Sequence, residues 1–306
     1  MNKIDHRAQF EKALKKREEI GEISFEIGDL LKMPHFFEWV DCKIDGLDKF
    51  KMYIGGADDG VALRFFWNQK YENTTILIWS ELAKYASVII DIGAHTGAYT
   101  LAAKASNNNS TVLSFEPFFM NYSRLLLNLR GNNFDTSHAY MFAVSEKNGL
   151  MPFTVTTNLS YLSQGGKLGS NGQGYTSNVQ VISLDQSLPS DFLQKISLIK
   201  MDTEGHEEQV IKGMSSVISA SRPIIFLESL LNSESNFISD YLTSENYHFF
   251  VSNDKDRTLV NVKNISPIFR NNNIHRDTLN RIVIPVEKLE FIEDCTKILN
   301  IPFIKN

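Results

Sequence analysis

Cysteine is nearly absent. The two cysteines in 306 residues, Cys42 and Cys295, form neither a CxxC pair nor a Cys/His cluster, which argues against a disulfide framework and a structural zinc site. A reducing, cytoplasmic setting is the expectation. Long apolar runs are also missing: Val88–Ile90 and Ile224–Leu227 are typical, far short of the roughly 20 residues that span a bilayer. The N-terminus carries Lys3, Asp5, Arg7, Glu11 and Lys12 in place of a signal-like apolar stretch. Sequons such as Asn73-Thr74-Thr75 therefore carry no weight as glycosylation sites. With 17 glycines and 8 prolines, long flexible linkers are not expected. An excess of basic charge is lacking too. The 31 basic residues face 36 acidic ones, for a net charge of −5, which makes nucleic acid a poor partner. What the chain has in quantity is phenylalanine, 21 residues of it, enough large apolar area for a well-filled core.

Residues 1–75 read as an N-terminal extension. Its first 20 residues form a polar helix with Phe10, Leu14 and Ile20 as the only apolar stripe, expected to pack loosely. From Phe36 to Trp67 the pattern shifts to short strands, with Gly46 and Gly55–Gly60 as hairpin turns. Residues 76–306 alternate strand and helix. Strands are expected at Val88–Asp91, Thr111–Glu116, Ala139–Val144, Ile196–Met201, Pro223–Glu228, His248–Ser252 and Asn280–Val286. A helix following the fourth carries Val210, Ile211, Met214, Val217 and Ile218 on one face. Such alternation specifies an α/β doubly wound, mostly parallel sheet. The loop Gln164–Gly174 holds five glycines and is read either as a surface excursion or as a lid beside the site.

Ligands of open α/β sheets bind at the carboxyl ends of the strands. The first strand ends in Asp91-Ile92-Gly93-Ala94-His95-Thr96-Gly97 and the second in Glu116-Pro117, about 20 residues beyond the glycine bend, where a carboxylate grips a ribose. His95 stands where a dinucleotide's pyrophosphate would pass. That disfavours a nicotinamide oxidoreductase and favours a phosphate-free ligand such as S-adenosylmethionine. The fourth strand end, Lys200-Met201-Asp202-Thr203-Glu204-Gly205-His206-Glu207, is dense in titratable groups. Asp202, Glu204 and His206 are candidate bases, and their alternation could contribute to a divalent metal site. Asp254-Lys255-Asp256 reads as a solvent-exposed turn.

The segments Asp91–Thr100, Phe115-Glu116-Pro117 and Ile199–Glu207, with Gly213 behind them, resemble the FkbM family of S-adenosylmethionine-dependent methyltransferases. The resemblance covers roughly residues 76–230. It implies a class I, Rossmann-like, seven-stranded fold and methylation of a hydroxyl on a sugar or secondary metabolite. It implies that Asp91, Gly93 and Gly97 hold the methionine end of the cofactor, with Ala94, His95 and Thr96 in the same bend. Glu116, beside Pro117, would hold the ribose hydroxyls, Ala143 and Val144 would lie beside the adenine, and Asp202 would face the methyl group. The chain departs from the family pattern at His95, often Asn there, and at Phe142-Ala143-Val144, which offers no acid to the adenine amine. The rival reading is a non-catalytic domain that binds a nucleoside or glycan.

Overall fold

The computed structural model describes residues 5–21, 24–45, 50–155, 166–169, 174–229, 236–270, 273–274 and 276–305. Near the N-terminus, β1 (Phe36–Cys42) and β2 (Phe50–Gly56) form an antiparallel hairpin. The main sheet starts with β3 (Val88–Ile92), β4 (Thr111–Phe115) and β5 (Ala139–Tyr140). A smaller four-stranded sheet follows, from β6 (Ala143–Val144), β7 (Gly149–Val155), β8 (Gly166–Leu168) and β9 (Tyr175–Ile182). The chain then returns to the main sheet with β10 (Ile196–Met201), β11 (Ile224–Glu228), β12 (Tyr247–Asn253) and β13 (Thr258–Val262). After a short pair, β14 (Phe269–Arg270) and β15 (Asn273–Ile274), it completes that sheet with β16 (Asn280–Pro285) and β17 (Phe303–Ile304).

The order is β17-β13-β12-β16-β11-β10-β3-β4-β5. It is a mixed sheet of nine described strands where seven are expected, with β13 and β17 at one edge. Strands β5, β4, β3, β10 and β11 run parallel, and β16 lies antiparallel to both β11 and β12. A strand buried on both faces has no polar alternation, and all five residues of β3 are buried. Alternate residues feed two cores. Ile89, Leu198 and Phe226 pack with Trp79 and Leu101 on one face, while Ile90, Ile199 and Ile225 pack with Val210, Met214 and Ile218 on the other. No described helix is long and apolar enough to cross a membrane.

Several local expectations change. The N-terminal helix, His6–Ile20, is capped by Asp5, which accepts from the Ala8 amide at 3.1 Å. It packs closely: the Phe10 ring lies 5.2 Å from Phe36, and Arg17 lies 4.8 Å over Phe66. Gly55–Gly60 is not a hairpin turn. Asp58 accepts from the Gly55 amide and Asp59 from Val61 and Ala62, which caps a helix at Gly60–Leu63 that runs on to Asn68. The expected strand Ala139–Val144 splits at Met141-Phe142, so β5 joins the large sheet and β6 the small one. The expected helix after β10 breaks into Glu207–Lys212 and Ser215–Ser221. At that break a Cβ on Gly213 would lie 2.0 Å from the Ser145 carbonyl oxygen. The Gln164–Gly174 loop falls mostly outside the described residues.

Strand β2 docks against the helix Phe119–Gly131. Asn128 and Asn132, one turn apart, accept from the amides of Tyr53 and Lys51 at 2.9 and 2.7 Å. Helical spacing thus matches strand spacing, and the edge amides of β2 find partners. Phe36, Phe66 and Trp67 belong to the same apolar core as Trp79 and Leu101.

Candidate active site

After β3 the chain proceeds to β4 and β5 on one side, then crosses to β10 and β11 on the other. Such a reversal opens a crevice at the carboxyl ends of the strands. A cleft of about 1460 Å³ lies there, lined by Asp91, Gly93, His95, Glu116, Lys200 and Asp202 among others.

The bend after β3 is tight. Gly93 has φ +77°, and a Cβ there would lie 1.8 Å from the Asp202 carbonyl oxygen. Any side chain would drive the end of β3 away from the end of β10. His95 also adopts a left-handed conformation, φ +54°. Its amide donates to Glu116 Oε2 at 2.8 Å, and the Phe118 amide donates to Oε1 at the same distance. Bend and acid are thereby joined. Burial pushes the Glu116 carboxyl up to about 7, against the hydrogen bonds from Phe118, His95 and Asn121. Phe115, Phe142, Ala143, Val144 and Phe153 give this end of the cleft an apolar wall.

Strand register places Lys200 opposite Asp91. Asp91 is buried and accepts from Thr100 Oγ1 at 2.6 Å, and burial pushes its carboxyl up to about 6. Lys200 is 2 % exposed, its Nζ 3.6 Å from Asp202 Oδ2 and 5.0 Å over the Tyr99 ring. Burial disfavours its charge, but Asp202, Glu72, Glu228 and Asp91 more than offset that, so its pKa is raised. Glu72 sits just before the helix Asn73–Ala83 at φ +40°, and its carboxylate accepts from the Tyr99 hydroxyl. A non-glycine residue in that region is strained, a condition that concentrates at functional sites.

The loop Asp202–His206 passes through two left-handed residues, Glu204 and Gly205. It is clamped by Glu207, whose Oε1 accepts from the Thr203 amide and hydroxyl and from the Gly205 amide at 3.0–3.2 Å. Glu207 therefore holds the acid-rich loop in shape. Glu204 stands at the rim within reach of water; partial burial, then the charges of Asp202 and Glu207, raise its carboxyl.

The expected residues divide. Asp91, Gly93, Ala94, His95, Glu116, Pro117, Ala143, Val144, Asp202 and Glu204 line one cleft, whereas Thr96, Gly97 and His206 lie outside its lining. His206 Nε2 lies 2.9 Å from Ser145 Oγ, and burial lowers the pKa of the ring. Among the described residues no group of three His, Cys, Asp or Glu side chains is placed to hold a metal. Asp254, expected in an exposed turn, is half-buried on the cleft wall. The sequence reading places Lys200 in a titratable-rich strand end and Glu228 at the end of the fifth strand without giving either a role, and it passes over Glu72. Glu72 precedes the sheet, and no local signal marks it.

Residues 91–249, just over half of the chain, match the family model described as the methyltransferase FkbM domain. No curated protein matches. Among solved structures, the methyltransferase FkbM of Methylobacillus flagellatus KT is similar at 14% identity and a TM-score of 0.42, with 73% of this chain and 52% of that one covered. The chain thus spans about half of that protein's length. An rRNA methylase from Streptococcus thermophilus matches at 10% identity and a TM-score of 0.38, with 70% and 95% covered. P. horikoshii TYW2 in complex with MeSAdo matches at 10% identity and 0.36, with 73% and 71% covered.

Proposed function

The chain belongs to the FkbM methyltransferase family, and on that premise we propose that it methylates a hydroxyl of a carbohydrate or glycosylated metabolite, with S-adenosylmethionine as donor. One observation carries the reading: the bend at Gly93, the Glu116 carboxylate and Asp202 all open onto a single cleft. The groups present fit the cofactor. The bare bend allows close approach, Glu116 accepts hydrogen bonds from two ribose hydroxyls, and Phe115, Phe142 and Phe153 offer apolar surface to an adenine.

The cofactor supplies a methyl already activated on a sulfonium. Catalysis by the protein is then alignment of the acceptor, exclusion of water and removal of one proton. Asp202 receives that proton, since His206 is turned to Ser145 outside the cleft lining. Asn68, Lys70, Asp254, Lys255 and Asp277 also line the cleft, a polar wall suited to a hydroxyl-rich acceptor.

The test is transfer of a radiolabelled methyl from S-adenosylmethionine to a panel of monosaccharides and methyl glycosides. The expected product is a base-stable ether. Asp202→Asn should lower turnover on the order of 10²- to 10⁴-fold, the usual contribution of a positioned base, while cofactor affinity is kept. A wild-type protein that binds the cofactor and transfers nothing would instead be the non-catalytic binding domain.

A further inference from the structure

Strands β10 and β11 run parallel with Met201 opposite Leu227. The residues that follow, Asp202 and Glu228, therefore leave adjacent strand ends side by side, and both line the cleft. Register and the shared lining bring the two carboxyl groups within reach of one hydrogen bond. Two carboxyls make that bond only when one holds a proton, since two negative charges in contact repel. The Lys200 ammonium decides which. It lies 3.6 Å from Asp202 and makes no hydrogen bond of its own, so it pairs with Asp202 and leaves Glu228 as the donor of the two.

Building on the function proposed above, we propose that Glu228 is a positioning residue for methyl transfer: its protonated carboxyl donates to Asp202 and fixes the other Asp202 oxygen toward the acceptor hydroxyl. As the acceptor's O–H bond breaks, its proton goes to that oxygen. The new O–CH₃ bond forms and the electrons of the S–CH₃ bond return to sulfur. Glu228 neither gains nor loses a proton in the step.

The charged and titratable groups around the pair lie on several elements. Glu228 faces Asp202 and Lys200 from β10 and its end, and Glu72 and Tyr71 from the turn before the helix Asn73–Ala83. Asp202 faces Lys200, Asp91 and Glu204 besides. Burial, then the charges of Asp202 and Glu72, hold the Glu228 carboxyl well above its ordinary range. Glu228 therefore keeps its proton to higher pH than an ordinary carboxyl and ionises only as pH rises through that raised value. A second charge then appears beside Asp202, the hydrogen bond is lost and turnover falls on the alkaline side.

Three variants and two readouts test this. In the sugar-panel transfer assay, Glu228→Ala should lower kcat on the order of 10- to 100-fold, the scale of a misplaced group, with little change in KM for S-adenosylmethionine. Glu228→Gln still offers an N–H to Asp202 and has no proton to lose. It should recover turnover by about tenfold over the alanine variant and abolish the alkaline fall. Infrared difference spectra of the full chain provide the second readout, and they need no acceptor. Above neutral pH the wild type should retain a protonated-carboxyl band that is missing from Glu228→Gln. The band should shift in Asp202→Asn, which replaces the carboxylate that accepts the Glu228 proton while the burial of Glu228 remains. A band that persists in Glu228→Gln or stays unshifted in Asp202→Asn overturns the proposal, as does an alkaline fall that survives in Glu228→Gln. If no sugar accepts a methyl, the acceptor class proposed above fails, and the infrared bands still decide for or against Glu228.

Discussion

Gly93 cannot be anything else. With φ at +77° and the Asp202 carbonyl 1.8 Å from where a Cβ would stand, even alanine must pry apart the two strand ends that carry the site. Gly93→Ala should cost about 3 kcal/mol or more, as backbone strain and a main-chain clash combine. Gly149→Ala is the control: nothing lies within 4 Å of its Cβ position, so its effect should stay within about 0.5 kcal/mol. Thermal unfolding of the two variants side by side measures the difference; equal stability would mean that the bend does not touch β10. At this scale the sequence was readable wherever chemistry is local. Gly93 and Glu116 are 23 positions apart, and one βα unit brings them together. Glu72, Lys200 and Glu228 meet only through the register of β3, β10 and β11 and through a turn that precedes the sheet, and no spacing along the chain encodes that meeting.

Among the elements, the helix Asn73–Ala83 borrows its cap. Glu72 makes no side-chain capping bond. Instead Asp254 Oδ1 accepts from the Thr74 and Thr75 amides at 2.8 and 3.2 Å across 180 residues of sequence. A turn following a strand, read alone, looks solvated, and only the tertiary contact shows otherwise. Burial, then the charge of Glu72, pushes the Asp254 carboxyl up to about 7. Because that value is raised above the ordinary 3.8, the protonated form adds stability at low pH that is lost as pH climbs toward 7. Asp254→Ala should lose the cap at about 1–2 kcal/mol. Asp254→Asn keeps the accepting oxygen without the charge, so its stability relative to wild type should rise between about pH 4 and 7. Chemical denaturation across that range checks both, and a parallel pH dependence for wild type and Asp254→Asn would refute the assignment. Other elements were misread for the same kind of reason. Gly55–Gly60 has hairpin composition, but Asp58 and Asp59 spend their carboxylates on capping. Ala139–Val144 has one continuous apolar pattern, but β5 and β6 serve different sheets.

For the whole molecule, the alternation of strand and helix was legible because parallel strands buried on both faces leave unbroken apolar runs. The nine-strand order and the insertion of a second sheet between β5 and β10 were not, since pairing partners far apart in sequence leave no local trace. The cleft exists because the chain reverses direction between β3 and β10, so one event of topology sets the bend, Glu116 and Asp202 around a common space. Glu116 also makes ligand binding depend on pH. Its carboxyl is raised to about 7 when no ligand is bound, and two ribose hydroxyls donating to it favour the ionised form. Affinity should therefore climb as pH rises toward 7 and level off above it. Calorimetric titration of the full chain with S-adenosylhomocysteine over this range, alongside Glu116→Ala, is the most direct test. Wild-type protein should bind with an affinity that rises in this way, and Glu116→Ala should bind on the order of 10- to 100-fold more weakly, the scale of lost hydrogen bonds to a charged group. Binding that is absent, or equally tight in Glu116→Ala, would contradict the assignment of this cleft to an adenosyl cofactor.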